Sequence, residues 1–231
     1  MSDPANQELF TYYNERAPEY EAFYAGEFPT GPRSPALYKA DTRAIQQLLP
    51  HYVKGKCLDI ACGTGFWLPY YHASCSAVTL IDQSDGVLME CRNKIETLGI
   101  REKTNVIRGD VFKDTPSNHI YDSALAGFLI SHFKEEELAK FFSILKEALK
   151  PGGRFIIIDS VWGPEAKTQH RDQNGMALRH LYDGRTFQIH KRYFTKDELG
   201  GIAAGNGFRL ETVYWGDVFF LAAGQFKVPS E

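Results

Sequence analysis

The residues best suited to hold a ligand lie in one segment, positions 57–66, which reads Cys-Leu-Asp-Ile-Ala-Cys-Gly-Thr-Gly-Phe. The pattern predicts a buried strand that carries a carboxylate, Asp59, and then turns through Gly63 and Gly65. Because glycine lacks a Cβ, the backbone can adopt a positive φ there and a ligand can lie against it. Pyrophosphate-binding loops use a third glycine, which is missing here, and a carboxylate would repel a pyrophosphate. The loop therefore favours a nucleoside with a cationic amino-acid tail over a nicotinamide dinucleotide.

The elements that position this loop alternate along the chain between apolar runs and helical patterns. Strands are predicted near 56–60, 77–81, 105–109, 121–126, 154–159, 209–214 and 218–224. Helices are predicted near 36–50, 64–71, 85–97, 135–149 and 195–206. Such alternation is typical of βαβ units around a parallel sheet, and the short spacing of the last two strands requires an antiparallel hairpin. The prediction is an α/β fold with a seven-stranded, mostly parallel sheet, helices on both faces and a C-terminal antiparallel hairpin.

The segment 57–66 and this order of elements resemble the class I S-adenosylmethionine-dependent methyltransferases of the small-molecule type. Their first motif runs hydrophobic-Asp-hydrophobic-Gly/Ala-Cys-Gly-Thr-Gly, and Ala61 takes a position where many members carry glycine. The resemblance covers about residues 10–225 and is strongest over 55–130. It implies a Rossmann-like fold, S-adenosyl-L-methionine as cofactor and S-adenosyl-L-homocysteine as product. The alternative for the loop is an ordinary tight turn.

The resemblance assigns the adenosine to residues after the second strand. Asp82 ends that strand and would accept hydrogen bonds from both ribose hydroxyls. Gln83 and Met89 would then offer the adenine a polar edge and a soft apolar face. The alternative for Asp82 is a helix N-cap, a role that Ser84 or Asp85 could fill instead.

Residues after the third and fourth strands complete the expected cofactor site. Asp110 would accept the exocyclic amine of the adenine, and the backbone of Val111 would meet the ring. Ala126 ends the fourth strand, where a small side chain exposes carbonyls to the methionine amino group, and Leu129 would line the pocket.

The N-terminal aromatic residues resemble a segment that covers the cofactor in many small-molecule methyltransferases. Tyr13 and Tyr20 match by spacing, although Glu21 stands where aspartate is commoner. We expect residues 1–35 to form a lid and residues 36–231 to form the methyltransferase domain. The alternative is that these aromatic side chains only dock a helix on the core.

Methyl transfer from a sulfonium is an in-line displacement that mainly requires positioning and a dry pocket. His132 lies just beyond the fourth strand and is the candidate catalytic residue, a general base at neutral pH. The alternative is a packing or helix-capping histidine. Asp159, at the end of the fifth strand, is a further acceptor-side group.

The segment 161–194 is expected to be an acceptor-side insertion, because family members differ most there. It carries an excess of positive charge, with Asp172 and Asp183 as the acidic residues between 167 and 192. Its basic residues are Lys167, Arg171, Arg179, Arg185, Lys191 and Arg192, with His170, His180 and His190. One hypothesis is recognition of a carboxylate or phosphate on the acceptor. The alternative is a solvated helix and strand whose charges face water.

The composition limits the other functional classes. The 231 residues carry a net charge of −3, which argues against general nucleic-acid or anionic-membrane binding. The N-terminus lacks the pattern of a signal peptide, and no apolar run reaches the length of a membrane span. The four cysteines include no C-x-x-C pair, and no metal-ligand spacing is present. We therefore expect a cytoplasmic protein, a monomer or homodimer, with reduced thiols and no metal.

The leading hypothesis is S-adenosylmethionine-dependent methyl transfer to a small-molecule acceptor, anionic or aromatic. An N-P-P-[YF]-like tetrapeptide, typical of enzymes that methylate the amino group of a DNA base or glutamine, is absent after the fourth strand. Two alternatives stay open: methylation of a protein or RNA through the basic segment, and a module that binds the cofactor without turnover.

Overall fold

A seven-stranded sheet forms the centre of the molecule in the computed structural model, which describes residues 4–27, 34–164, 167 and 172–226. Its strands are β1 (Gly55–Ile60), β2 (Cys75–Asp82), β3 (Thr104–Arg108), β4 (Tyr121–Gly127), β5 (Leu149–Ser160), β8 (Phe208–Trp215) and β9 (Phe219–Phe226). Their spatial order is β3-β2-β1-β4-β5-β9-β8, with the first five parallel and β9 antiparallel to both its neighbours. The predicted fold class is confirmed, including the C-terminal hairpin.

Seven α-helices connect and cover the strands within the described ranges. They are α1 (Pro4–Arg16), α2 (Tyr20–Tyr24), α3 (Pro35–Tyr52), α4 (Leu68–Tyr71), α5 (Asp85–Leu98), α6 (Glu135–Ala148) and α7 (Lys196–Gly205). The helix predicted over 64–71 is wrong in its first half, because residues 64–67 form turns and Gly65 has a φ of 70°. Only Leu68–Tyr71 is α-helical, with a proline in its first turn.

The sheet is buried on both faces because successive side chains of each strand point to opposite sides. Cys57, on one face of β1, belongs to a cluster that includes residues of α3 and α5. Leu58, on the other face, belongs to a cluster that includes residues of α6 and α7. Strands covered on both faces read as continuous apolar runs, which is why β1 was recognisable in the sequence.

A separate two-stranded sheet packs against helix α1. It consists of β6 (Asn174–His180) and β7 (Thr186–Arg192), paired antiparallel. The alternative of a helix and a strand is therefore wrong for the described part of the insertion, because the exposure of β6 alternates residue by residue as in a strand. His170 and Arg171 lie outside the described residues.

The β6–β7 hairpin packs on α1. The rings of Tyr12 and Phe187 lie 5.5 Å apart, and Arg185 forms an ion pair with Glu15 at 2.9 Å. These contacts join two segments that are about 170 residues apart in the chain, so α1 and the hairpin together form one wall above the sheet.

Two features of the described residues bear on partners and redox state. None of their helices is both long and apolar enough to cross a bilayer, and none of their His, Cys, Asp and Glu side chains form a group of three that could hold a metal. All four cysteines are buried and free.

Candidate active site

A cavity of about 450 Å³ lies at the carboxyl ends of the parallel strands, beneath α1. This volume falls in the range of roughly 300–1,000 Å³ that small-molecule and cofactor sites occupy. We call it the large cavity. Its walls include ten of the residues named from the sequence: Tyr13, Tyr20, Ala61, Gly63, Asp82, Gln83, Asp110, Val111, Leu129 and His132.

Four other named residues do not line the large cavity. Asp59 is buried under the loop after β1, Gly65 packs toward Cys91, and Ala126 is buried in the sheet. Met89 is 58% exposed on α5. The helical periodicity of α5 explains this exposure, because Leu88, one residue earlier, takes the buried position.

The glycine loop after β1 uses its two glycines differently. Gly63 and Gly65 have φ values of 56° and 70°, which glycine adopts without strain. A Cβ on Gly63 would lie 3.9 Å from the nearest atom, in the Tyr20 ring, so the loop leaves open space on the cavity side. A Cβ on Gly65 would lie 3.1 Å from the Cys91 sulfur, so that glycine allows close packing on α5. Ala61 has a φ of 53°, which explains why glycine suits its position.

Asp59 is held away from the large cavity by Tyr71. The Tyr71 hydroxyl donates to Asp59 Oδ2 at 2.6 Å, and the carboxyl is 4% exposed. Burial raises the pKa of Asp59 to about 7, which the hydrogen bond from Tyr71 opposes and the charge of Asp82 reinforces.

Asp82 joins the loop after β1 to the loop after β2. Its Oδ2 accepts the amide of Gly63 at 3.0 Å and its Oδ1 accepts the amide of Ser84 at 2.9 Å. Burial raises the pKa of Asp82, and these amides oppose the rise. The N-cap of α5 is Ser84, whose hydroxyl accepts from Val87. Each carboxylate oxygen therefore keeps acceptor capacity for a ligand in the large cavity.

Asp110 and Val111 lie on the turn after β3. The Asp110 carboxylate accepts the amide of Phe112 at 2.9 Å and pairs with Lys113 at 2.8 Å. Partial burial raises its pKa, but the hydrogen bonds to Lys113 and Phe112 outweigh it and leave the pKa of Asp110 below its usual value. The charged form of this carboxylate is therefore stabilised at the cavity edge.

The N-terminal helices are fastened to the same loops. Asn14 accepts the Ser84 hydroxyl at 2.9 Å and the Gly86 amide at 3.1 Å. The Thr64 hydroxyl donates to Glu21 at 2.9 Å, so the glutamate that replaces the commoner aspartate bonds directly to the glycine loop. Helices α1 and α2 are thus positioned over the cavity by polar contacts as well as by aromatic packing.

Tyr13 and His132 form a hydrogen-bonded pair at one end of the large cavity. His132 Nδ1 lies 2.7 Å from the carbonyl oxygen of His190, and because a carbonyl can only accept, this nitrogen carries the proton. The other ring nitrogen, Nε2, lies 2.8 Å from the Tyr13 hydroxyl. Burial lowers the pKa of His132 well below 6.5, and the charge of Lys191 lowers it further. The imidazole is therefore neutral, and its Nε2 accepts a hydrogen bond from the Tyr13 hydroxyl.

Asp159 is not exposed to a ligand. Its side chain is fully buried, accepts the amides of Ser131 and Ser160, and pairs with Lys191 at 3.1 Å. Asp159 and Lys191 form an ion pair between the main sheet and β7. Asp159 therefore fixes the position of the Lys191 side chain and does not contact a ligand itself.

Phe128 is a strained residue in the cavity wall that was not predicted from the sequence. Phe128 has a φ of 58°, a conformation that is unusual for a bulky side chain, and its ring stacks on Tyr24 at 4.0 Å between centroids. Gly127, just before it, also lines the large cavity. Backbone strain leaves no pattern in a single sequence. The small residue Gly127, next to Phe128, is the one feature of the sequence that is compatible with a turn here.

The large cavity fits a nucleoside with an amino-acid tail. It combines an open glycine loop, the partly buried carboxylate of Asp82 with spare acceptor capacity, a second carboxylate at Asp110 and an aromatic cover from Tyr13 and Tyr20. These are the donor and acceptor types that ribose, adenine and an ammonium group require.

Comparisons with known proteins agree with this geometry. Residues 57–153 match a methyltransferase-domain family. The chain is 30% identical to a phosphatidylethanolamine N-methyltransferase of Cereibacter sphaeroides over 105 residues. This aligned stretch covers 46% of this chain and 50% of that protein. The chain thus matches no more than half the length of the curated relatives.

Two solved structures share the fold over nearly the whole chain. The complex of DhpI with S-adenosylhomocysteine covers 100% of both chains with a TM-score of 0.78 and 23% identity. The 1,6-didemethyltoxoflavin-N1-methyltransferase of Burkholderia thailandensis, with bound 1,6-didemethyltoxoflavin and S-adenosylhomocysteine, covers 99% of this chain and 92% of its own, with a TM-score of 0.66 and 17% identity. Residues 57–153 therefore carry a methyltransferase domain, and the whole chain shares the fold of methyltransferase structures solved with S-adenosylhomocysteine.

Proposed function

We propose that the protein transfers the methyl group of S-adenosylmethionine to a small-molecule acceptor. The observation that carries this proposal is the position of the Tyr13–His132 pair. Both residues line the large cavity, and both also line a second cavity of about 40 Å³ on the side of the hairpin. An acceptor held in the second cavity meets the cofactor cavity at this shared wall.

The size and cover of the acceptor side favour a small molecule over a macromolecule. Helix α1 and the β6–β7 hairpin pack together there, through Tyr12 and Phe187 and through the ion pair of Arg185 with Glu15. The bound 1,6-didemethyltoxoflavin of the Burkholderia relative is an acceptor-sized small molecule on the same fold, which supports the proposal.

We propose the cofactor-binding roles of the residues that line the large cavity from their donor and acceptor groups. Asp82 binds the ribose hydroxyls while its backbone partners hold the two loops together. Asp110 and Val111 bind the adenine edge, and the glycine loop lies along the amino-acid tail. When bound, the cofactor supplies an electrophilic methyl group on a sulfonium. The protein's own contribution is to position that methyl group and to exclude water.

We assign His132 a positioning role through Tyr13. Its two ring nitrogens are engaged by the His190 carbonyl and the Tyr13 hydroxyl, and its low pKa makes it a weak base. Burial raises the pKa of Tyr13 well above 10, so the phenol stays protonated and its oxygen is fixed at the boundary between the cavities. An acceptor that enters as an anion needs no base, since its oxygen is already nucleophilic.

We also propose that residues 1–35 act as a lid. In the described part, α1 and α2 contribute Tyr13 and Tyr20 to the wall and are tied to the loops through Asn14 and Glu21. Such a lid sequesters the reaction from water. Residues 1–3 and 28–33 of this segment lie outside the described ranges.

Calorimetric titration with S-adenosylhomocysteine tests the cofactor site, with NADH as the control ligand. Asp82→Ala should weaken the binding of S-adenosylhomocysteine about tenfold or more, because hydrogen bonds to a charged group are each worth roughly 1.5–3 kcal/mol. The matched control is Asp85→Ala, which removes an exposed carboxylate three residues away that pairs with Arg108. Equal affinities for the two variants, or preferential binding of NADH, would refute the assignment.

A further inference from the structure

The second cavity is built differently from the large cavity. It has a volume of about 40 Å³, against about 450 Å³ for the large cavity. Three cationic side chains from three elements line it: Arg16 of α1, Arg179 of β6 and Lys191 of β7. We call it the cationic cavity.

Arg16 is a buried cation without a carboxylate partner within the described part of the chain. The residue is 4% exposed, and its Nε is buried with no hydrogen-bond partner. Its guanidinium donates to the Tyr12 hydroxyl and lies 4.0 Å from the centre of the Phe23 ring. Glu19, three residues on, accepts the amide of Tyr182 instead.

Arg179 also forms no ion pair with any described carboxylate. Its guanidinium donates to the Tyr193 hydroxyl and to the Leu178 carbonyl, both at 3.3 Å. Lys191 does have a partner, because Asp159 lies 3.1 Å from its Nζ.

The charges around the cationic cavity therefore do not balance. Arg16, Arg179 and Lys191 contribute three positive charges against the single negative charge of Asp159. His132 adds none in its neutral form, which its burial and the nearby charge of Lys191 favour by lowering its pKa. A buried cation without a compensating partner is costly, and an anion inside the cavity would remove that cost.

We propose that the cationic cavity binds an oxyanion group, a carboxylate or a phosphoryl group, carried by the methyl acceptor. That the ligand is a methyl acceptor rests on the proposed function. The anion site itself is inferred from the residues that line the cationic cavity. A guanidinium presents paired donors that match two oxygens of such a group. The volume accommodates one such group and leaves the rest of the acceptor to extend past Tyr13 and His132 into the large cavity.

The other basic residues of the hairpin do not share this role. Arg185 pairs with Glu15 at 2.9 Å and with Asp183 at 2.7 Å, and its side chain is half exposed. Arg192 pairs with Glu135 and Glu198. Of these described arginines and lysines of the hairpin, Arg185 and Arg192 thus form ion pairs with carboxylates, whereas Arg179 and Lys191 line the cationic cavity.

The test is calorimetric titration of the full chain with inorganic phosphate and, separately, with acetate, with and without saturating S-adenosylhomocysteine. We expect the wild type to bind at least one anion, and Arg179→Gln to weaken that binding about tenfold or more. Arg185→Gln is the matched control, since it removes an arginine from the same hairpin that faces away from the cavity, and it should bind like the wild type. The preference between phosphate and acetate identifies the class of oxyanion.

Arg16→Gln should weaken anion binding in the same way, and circular dichroism shows whether this buried substitution still folds. If it does not fold, the partly exposed Arg179 still decides the question. Absence of binding by the wild type, or equal binding by Arg179→Gln and Arg185→Gln, would overturn the proposal. If the wild type binds the anion but not S-adenosylhomocysteine, the cofactor assignment is refuted and the anion site is not. Failure of the anion site and failure of the proposed function are therefore distinguishable.

Discussion

The carboxyl group of Asp59 gives a prediction whose size follows from the structure. Burial raises its pKa from 3.8 to about 7. A raised carboxyl pKa means that the folded state holds the proton more tightly than the unfolded state. The resulting contribution to stability is present below pH 3.8 and is lost as the pH rises toward 7.

The shift of about 3 pH units corresponds to about 4 kcal/mol, at roughly 1.4 kcal/mol per unit. Asp59→Asn keeps an acceptor for the Tyr71 hydroxyl and removes the ionisation. We therefore expect the free energy of unfolding of the variant to exceed that of the wild type by about 2 kcal/mol at pH 5 and by about 4 kcal/mol at pH 8. Urea unfolding followed by the fluorescence of the three tryptophans measures this difference.

The matched control is Asp122→Asn, at the opposite end of the parallel strands. Asp122 accepts from Lys150 and from the Lys56 amide, and these bonds lower its pKa. Asp122→Asn should therefore be less stable than the wild type by an amount that does not change between pH 5 and pH 8, because this carboxyl is ionised in both the folded and unfolded states there. A stability difference for Asp59→Asn that does not grow between pH 5 and pH 8 would refute the reasoning. Because Asp59 does not line the large cavity, we also expect the variant to bind S-adenosylhomocysteine as the wild type does.

Two further substitutions test the acceptor side and the cavity wall. The pKa of His132 lies well below 6.5, so the pH–rate profile of the wild type should show no loss of rate near pH 6.5. His132→Gln should lower kcat about tenfold, because it removes a positioning residue. Removal of a general base would lower kcat by roughly 10²–10⁴-fold. A limb near pH 6.5 that disappears in the variant would contradict the positioning role. A Cβ on Gly127 would lie 2.9 Å from Trp67 Nε1, so Gly127→Ala should destabilise the protein by roughly 1–3 kcal/mol and weaken cofactor binding. Gly200→Ala is its control, since nothing lies within 4 Å of that Cβ, and a thermal shift that is equal for both would show that the wall is not tight.

The parts of the fold that could be predicted from the sequence depend on local patterns. Buried strands such as β1 are continuous apolar runs, and the glycine loop after it has a fixed spacing from Asp82. Such signals lie within 30 residues of one another, and they locate the loops after β1 and β2, which line part of the large cavity. They did not show on which side of the loop Asp59 would point, because that depends on Tyr71 packing beneath it.

The cationic cavity could not be predicted, because its residues meet only through tertiary structure. Arg16 and Arg179 are 163 positions apart, and no periodicity relates them. The charge count of the insertion drew attention to its arginines, but Arg185 and Arg179 are equivalent in such a count. Only the ion pair of Arg185 with Glu15 separates the surface residue from the cavity residue.

Helix α1 connects the two halves of the proposed chemistry. Tyr13 and Arg16 are three residues apart and so project from neighbouring positions on the same side of the helix. Tyr13 lines both cavities, and Arg16 lines the cationic cavity. The helix is in turn fixed to the cofactor loops through Asn14, which accepts hydrogen bonds from Ser84 and Gly86. A displacement of α1 would therefore open the cofactor site and remove a cation from the acceptor site together, so an ordered helix is a common requirement for both ligands.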